Sequence, residues 1–244
     1  MKKSILITGA NGQLGSYLAK AYHEEGHRLI LLYHIRNERI KVFCGSAEGS
    51  YASIDLTSYS ELDKRCRSNL WQPDVIVHCA AMRSSDAQPL ATTNPQFFQQ
   101  VFNTNFYGCY NLLRVFLPIM QEKGQGRVII MGSNVSRSGL KNGCAYSAAK
   151  AACVNLVKSA AQEMAKHNVL INTISPAPLD TKLEEEYSGD YLNFRMSYFA
   201  EYLKKVPSGK LVGKEEIKRV IDLLSDENLH NLTGQEIFLE GGLL

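Results

Sequence analysis

The sequence predicts an α/β fold: a seven-stranded parallel sheet, doubly wound, with helices on both faces. Three observations carry this expectation. Seven short apolar or β-branched runs are spread along the chain, at residues 4–8 (SILIT), 28–33 (RLILLY), 51–55 (YASID), 74–79 (DVIVHC), 127–131 (RVIIM), 170–175 (LINTIS) and 235–239 (QEIFL). Most are apolar throughout rather than alternating, as strands covered on both faces are. Between them lie segments with apolar residues at helical spacing, so strands and helices alternate and right-handed crossovers follow. Finally, the first run leads directly into a glycine-rich turn, GANGQLG, that opens a helix.

The 244 residues suit one large core, and no repeat, low-complexity tract or linker divides them, so residues 1–244 are expected as a single domain. The net charge of +3 comes from interspersed signs, which leaves no basic stripe for nucleic acid. Too few apolar positions precede the first glycine for a secretory signal, and no apolar run approaches the length of a membrane span. Six cysteines, at 44, 66, 79, 109, 144 and 153, have neither CxxC pairing nor metal spacing. They are expected as reduced, buried residues of a cytoplasmic protein with no membrane, nucleic-acid or metal partner.

In chain order, the first strand passes through the turn into an amphipathic helix over 14–25. Gly9, Gly12 and Gly15 supply the tight turn, a close approach of backbone to phosphate, and close helix packing. Exposed amides at the helix N-terminus attract a pyrophosphate, so Gly9, Asn11, Gly12, Gln13, Leu14 and Gly15 are candidate dinucleotide contacts, as in a Rossmann-type fold. After the second strand, an acid that would bond the adenosine ribose of NAD is missing; the chain offers Tyr33, His34, Ile35 and Arg36. Arg36 suits a 2′-phosphate as a charge-assisted fork, which favours NADP(H) over NAD. A solvated loop arginine is the plain alternative, since Glu38 and Arg39 follow. The third strand ends in Asp55-Leu56 before a helix over 58–68, where Asp55 equally suits an N-cap or turn acid. The fourth leads into Ala80-Ala81-Met82, small residues that let backbone approach a nucleotide. His78, inside that apolar strand, is expected as a satisfied core histidine.

Residues 97–122 are patterned as one helix, with Asn105 among apolar neighbours. A buried amide needs partners, and a helix-disrupting water site is one way to provide them. Asn103 and Asn111 are expected as ordinary surface or capping amides. Ser133 lies just past the carboxyl end of the strand at 127–131. From Cys144 onward an Ala-rich stretch reads as a long packed helix, with Tyr146 and Lys150 at i and i+4 on one face. An ammonium beside a phenol favours the phenolate, so the phenol's proton becomes transferable to a substrate oxygen that a serine hydroxyl orients. This is a proton-transfer site for a carbonyl/alcohol pair, lacking only a hydride source. Cys144 is expected as packing rather than a nucleophile.

The glycine turn, Ser133 placed 13 positions before Tyr146, and YxxxK together resemble the short-chain dehydrogenase/reductase family, over nearly the whole chain. The resemblance implies an NAD(P)-dependent oxidoreductase, most like the beta-ketoacyl-carrier-protein reductases. It makes Ser133 and Tyr146 the partners of the substrate oxygen, Tyr146 the general acid/base and Lys150 the holder of the nicotinamide ribose. Asn105 would relay protons through water. Asp55 and Leu56 would border the adenine, and Pro176, Leu179 and Thr181 in PAPLDT would meet the carboxamide. The aromatic segment at 184–205, with Tyr187, Tyr191, Phe194, Tyr198, Phe199 and Tyr202, corresponds to a mobile lid; core or interface packing is its other reading. A helix over 214–224 and the last strand, after TGQ, end in a pattern that supports a homo-oligomer, dimer or tetramer.

Four departures stand out. The turn is TGxxGxxG rather than TGxxxGxG, Cys79-Ala80-Ala81 replaces Asn-Ala-Gly, Ala177 replaces a glycine and Glu240 an aspartate. The turn spacing is that of nucleotide-sugar epimerases and dehydratases, an alternative disfavoured because only 63 residues follow Thr181, too few for a further substrate domain. A non-catalytic dinucleotide sensor or scaffold is a third reading, opposed by the intact Asn105, Ser133, Tyr146 and Lys150.

Overall fold

The computed structural model describes residues 2–35, 39, 50–83 and 88–243; Arg36 and Cys44 lie outside them. Seven parallel strands form one sheet in the order β3-β2-β1-β4-β5-β6-β7. They are β1 (Ser4–Thr8), β2 (Arg28–Tyr33), β3 (Ser50–Ser53), β4 (Val75–His78), β5 (Gly126–Met131), β6 (Val169–Pro176) and β7 (Glu236–Leu239). The chain winds outward from β1 to β3 and then, restarting at β4, outward to β7. The strand order reverses between β1 and β4, so a crevice opens there at the carboxyl ends.

Alternation along each buried strand divides the core between two faces. Leu6, Ile30, Ile76 and Val128 pack with Leu112, Phe116 and Met120 on one side. Ile5, Ile7, Leu29 and Val77 pack with Leu18, Ile217 and Ile221 on the other. Each such fully buried side chain contributes about 1.5–3 kcal/mol.

Local chemistry sets the helix ends. α1 spans Gln13–Glu24. α2 (Tyr59–Ser68) is capped by Ser58, which accepts from Glu61 N. α3 (Pro95–Phe102) has Pro95 at its first position, and Asn94 accepts from the amides of Gln96 and Phe97 at 2.8 and 3.2 Å. The single helix expected at 97–122 is in fact interrupted: a π-helical segment at Asn103–Tyr107 joins α3 to α4 (Gly108–Lys123). The one-turn α5 (Val135–Ser138) and the long α6 (Cys144–Met164) follow β5. α7 (Gly189–Lys205) and α8 (Lys214–Leu224) precede β7.

Arg127, expected only as a strand residue, is buried, and its guanidinium donates to the carbonyls of Gly126, Asn168, Asp226, Glu227 and Leu229. It pins the stretch between α8 and β7 to the amino end of the sheet. Five described cysteines carry free thiols; Cys66, Cys109 and Cys153 are buried, while Cys79 and Cys144 are only half-buried. Among the described residues no helix is long and apolar enough to cross a membrane, and no group of His, Cys, Asp and Glu could hold a metal.

Candidate active site

The nucleotide turn is shaped by what it excludes. Gly9 has φ +63°, and a Cβ there would stand 2.7 Å from Ala80 N; a Cβ on Gly15 would stand 2.3 Å from Gly9 O. Gly12 N donates to Gly9 O at 2.9 Å and serves as N-cap of α1, with no side chain capping the first turn. A helix start left to its own amides, beside backbone that no Cβ obstructs, is a cradle that fits a pyrophosphate. Asn11 Nδ2 donates to Ile35 O at 2.7 Å, and the Asn11 carbonyl accepts from Arg39 Nη1 at 3.4 Å. Gln13 turns its side chain across the cleft to Lys182.

The end of β4 is fixed by a buried relay: Ala80 N donates to Thr8 Oγ1 at 3.2 Å, and Thr8 Oγ1 lies 2.8 Å from His78 Nδ1. Burial, then the nearby Lys150 charge, lowers the His78 pKa to about 3, so the ring is neutral and shares one hydrogen bond with the threonine through Nδ1. His78 is thus the satisfied core histidine the sequence suggested. Burial also pushes the Cys79 thiol up to about 12.

A cleft of about 800 Å³ runs along the carboxyl edge. It is lined by Gly9, Asn11, Gly12, Gln13, Leu14 and Gly15 at one end, and by Ala80, Ala81, Ser133, Tyr146, Lys150, Pro176, Leu179 and Thr181 towards the other. Ser133 is held by the backbone around it: Gly132 N donates to Ile174 O at 2.7 Å, and Asn134 N to Pro176 O at 3.1 Å. Val135 N points at Ser133 Oγ from 3.5 Å. Glu236 Oε1 accepts from Ser136 and Ser175, both at 2.6 Å, and so joins the serine loop to β6 and β7. Lys150 is buried; its Nζ donates to Met131 O at 2.7 Å and lies 5.7 Å from the Tyr146 ring centroid.

Three expected site residues, Asn105, Asp55 and Leu56, do not line the cleft. Arg36 falls outside the described residues. Asn105 sits behind it, buried in the π segment, donating to Met82 O and Val101 O at 2.9 and 2.8 Å. Its Oδ1 has no hydrogen-bond partner among the described residues, and its backbone carbonyl accepts from Cys153 Sγ at 3.4 Å. Asp55 and Leu56 lie past the end of β3. Asp55 Oδ1 accepts from Thr57 N and Oγ1 at 2.9 and 2.8 Å, the turn-acid arrangement, while Leu56 packs on the core. Asn111, expected at the surface or as a cap, is buried and clamps that turn to α4 through Leu56 O and Thr57 O.

The aromatic segment combines two roles. Tyr187, Tyr198 and Phe199 line the cleft, Phe199 and Tyr202 are buried, and Phe194 is exposed. The Arg195 guanidinium lies 5.2–5.7 Å from the ring centroids of Tyr187, Tyr198 and Phe199. Sequence reasoning missed the charged lining: Arg39 pairs with Glu185, and Arg83 with Glu186 at 2.5 Å. These partners are more than a hundred positions apart, so no periodicity announces them.

The family model described as enoyl-(acyl carrier protein) reductase matches residues 9–244. The chain is 25% identical to the 3-oxoacyl-[acyl-carrier-protein] reductase FabG of Escherichia coli, over 99% of this chain and 97% of that one. It is 27% identical to an acetoacetyl-CoA reductase of Rhizobium meliloti, over 99% and 98% of the two chains. Two solved structures share the fold at a TM-score of 0.87: levodione reductase at 22% identity, covering 98% of this chain and 96% of that one, and NAD+-bound xylitol dehydrogenase at 23%, covering 98% of each. On the whole-chain match and the parallel seven-stranded fold, this chain belongs to the short-chain dehydrogenase/reductase family, enzymes that bind a nucleotide cofactor and act on CH–OH or keto groups.

Proposed function

We propose that the protein is an NADP(H)-dependent reductase of ketone or 3-oxoacyl substrates, running the alcohol oxidation in reverse, with Tyr146 as general acid/base. The observation that supports this most is the meeting of Ser133, Tyr146 and Lys150 on one wall of the cleft whose other end is the glycine cradle. The dinucleotide, when bound, supplies the hydride. Gly9, Asn11, Gly12, Gln13, Leu14 and Gly15 would hold its pyrophosphate and Ala80 and Ala81 its adjoining backbone face. Asp55 and Leu56 would border the adenine, and Pro176, Leu179 and Thr181 would meet the carboxamide.

The protein's own part is proton transfer and charge stabilisation. Ser133 and Tyr146 bind the substrate oxygen, and Tyr146 gives it a proton as negative charge builds. Each well-placed donor contributes about 3 kcal/mol to that step. The Lys150 ammonium, 5.7 Å from the Tyr146 ring centroid, would stabilise the charge left on the phenol oxygen and would hold the nicotinamide ribose. The buried Asn105 segment, joined to the Lys150 helix through the Cys153 thiol, serves proton return to solvent; a π segment at a functional position is a common device. The absence of an acid after β2, and Arg36 in its place, favour NADP(H) over NAD. The same reading makes residues 1–244 a single cytoplasmic domain that assembles as a dimer or tetramer.

The names of the similar proteins, 3-oxoacyl-carrier-protein and acetoacetyl-CoA reductase, favour a 3-oxoacyl group. NADPH oxidation screened across ketones, quinones and acyl thioesters identifies the substrate. Tyr146→Phe then tests the reading: turnover falls by more than about 100-fold while NADPH binding persists. Unchanged turnover in that variant overturns it.

A further inference from the structure

The nucleotide turn has Gly12-Gln13 where the family pattern places its glycine at the second of the two positions, and the fold gives the glutamine a use. Gln13 opens α1 at the floor of the cleft and is 7% exposed. Its amide meets a single residue on the opposite wall with both polar atoms. Nε2 donates to Lys182 O at 2.7 Å, and Oε1 accepts from Lys182 N at 2.9 Å. A primary amide bonded to both polar atoms of one residue copies the pairing of neighbouring strands, so it fixes that backbone's direction as well as its distance. Both bonds are partly buried, and losing the amide strands a donor and an acceptor.

Lys182 follows Thr181 and begins the short strap that turns through Leu183–Glu185 to Tyr187. Among the described residues the strap's other ties are the ion pairs of Glu185 with Arg39 and of Glu186 with Arg83, and the contacts of the Tyr187 ring with Arg83, Arg195 and Tyr191. The Arg39–Glu185 pair is partly exposed on both sides, which weakens it, whereas the Arg83–Glu186 pair has its carboxylate nearly buried. The two Gln13 bonds are direct bonds from the strap to the nucleotide turn, which the Arg39–Glu185 pair reaches only through Arg39 and the Asn11 carbonyl.

We propose that Gln13 is a latch: a positioning residue that holds the 181–187 strap across the dinucleotide cleft, so that the cofactor leaves only when the two Gln13–Lys182 bonds open. This rests on reading the cleft as the dinucleotide site, but the latch itself exists without turnover. A glycine at position 13 would leave the strap to its ion pairs and the ring contacts of Tyr187.

Hydrogen exchange on the cofactor-free full chain tests it, comparing the parent with Gln13→Met, which keeps length without an amide, and with Gln13→Gly. Exchange across 181–187 is expected to rise about tenfold in both variants, while β6 stays protected. NADPH dissociation, followed by stopped-flow displacement, should quicken about tenfold, with the cofactor KM rising more than kcat falls. Lys182→Pro removes the N–H from the other side at φ −78°, which proline accepts, and should reproduce both changes. Unchanged exchange across 181–187 in the Gln13 variants overturns the latch. A faster-exchanging strap with unaltered NADPH release overturns its role in retention. Should β6 also lose protection in the Gln13 variants, Lys182→Pro decides: an unmoved strap there rejects the proposal. Loss of strap protection in a chain that reduces no carbonyl would reject the reaction above and leave the latch standing.

Discussion

Lys150 Nζ donates to the carbonyl of Met131, the last residue of β5, at 2.7 Å. The bond ties the helix carrying Tyr146 to the strand end carrying Ser133, so the lysine spaces the two hydroxyls as well as facing the phenol. Lys150→Met keeps the apolar stem and removes both effects. Steady-state NADPH oxidation should fall by more than about 100-fold, with a smaller change in NADPH affinity. A kcat within threefold of the parent would show that neither effect matters.

His78 predicts how the fold responds to acid. Its folded pKa is near 3, whereas an unfolded histidine titrates near 6.5. Between those values the unfolded chain takes a proton that the folded chain refuses, so stability is full above pH 6.5 and drains as pH falls towards 3. The loss from this one residue is on the order of 1 kcal/mol per pH unit in that window. His78→Asn, which keeps a hydrogen-bonding amide beside Thr8, should show a shallower fall in Tm from pH 6.5 to pH 4 than the parent. Parallel curves would refute the assignment.

Gly15→Ala places a methyl 2.3 Å from Gly9 O and 2.9 Å from Gly9 C, backbone atoms that move only if the turn moves. Urea unfolding should show a loss of about 1–3 kcal/mol, and fluorescence titration a more than tenfold weaker NADPH affinity. Gly12→Ala meets only Gly9 O, at 3.3 Å, and should be milder on both counts. Equal effects at the two glycines would mean the close approach is not what counts.

Cofactor choice separates at the adenosine end. NADPH should bind more tightly than NADH, and Arg36→Ala should erase the gap. Arg39, which reaches the Asn11 carbonyl at 3.4 Å, offers a comparison: Arg39→Ala should weaken both cofactors alike. Equal affinities for NADPH and NADH in the parent would remove the argument from Arg36.

The strands were legible because a parallel sheet covered on both faces needs unbroken apolar runs; RVIIM and LINTIS announce β5 and β6 almost to the residue. Ser133, Tyr146 and Lys150 were legible because their spacing is local to one strand end and one helix. What joins distant parts was not. The Gln13–Lys182 pair, the Arg83–Glu186 pair and the carbonyls of Asn168, Asp226, Glu227 and Leu229 around Arg127 link positions from 41 to 169 apart, and bonds over such distances leave no periodic trace. Asn105 was half legible: its polarity in an apolar stretch called for an unusual helix, but Phe102 and Phe106 gave no sign that the spiral would widen there.

That widening absorbs one extra amino acid. Five π residues turn through about the same angle as four α residues, so deleting one residue from 103–107 would restore a regular coil and leave α4 facing the same way. Phe116 and Met120, fully enclosed in the native arrangement, would stay inward. What such a deletion removes is the local bulge that holds the buried Asn105 side chain, so it would spare the core and strike only the wall behind the cleft.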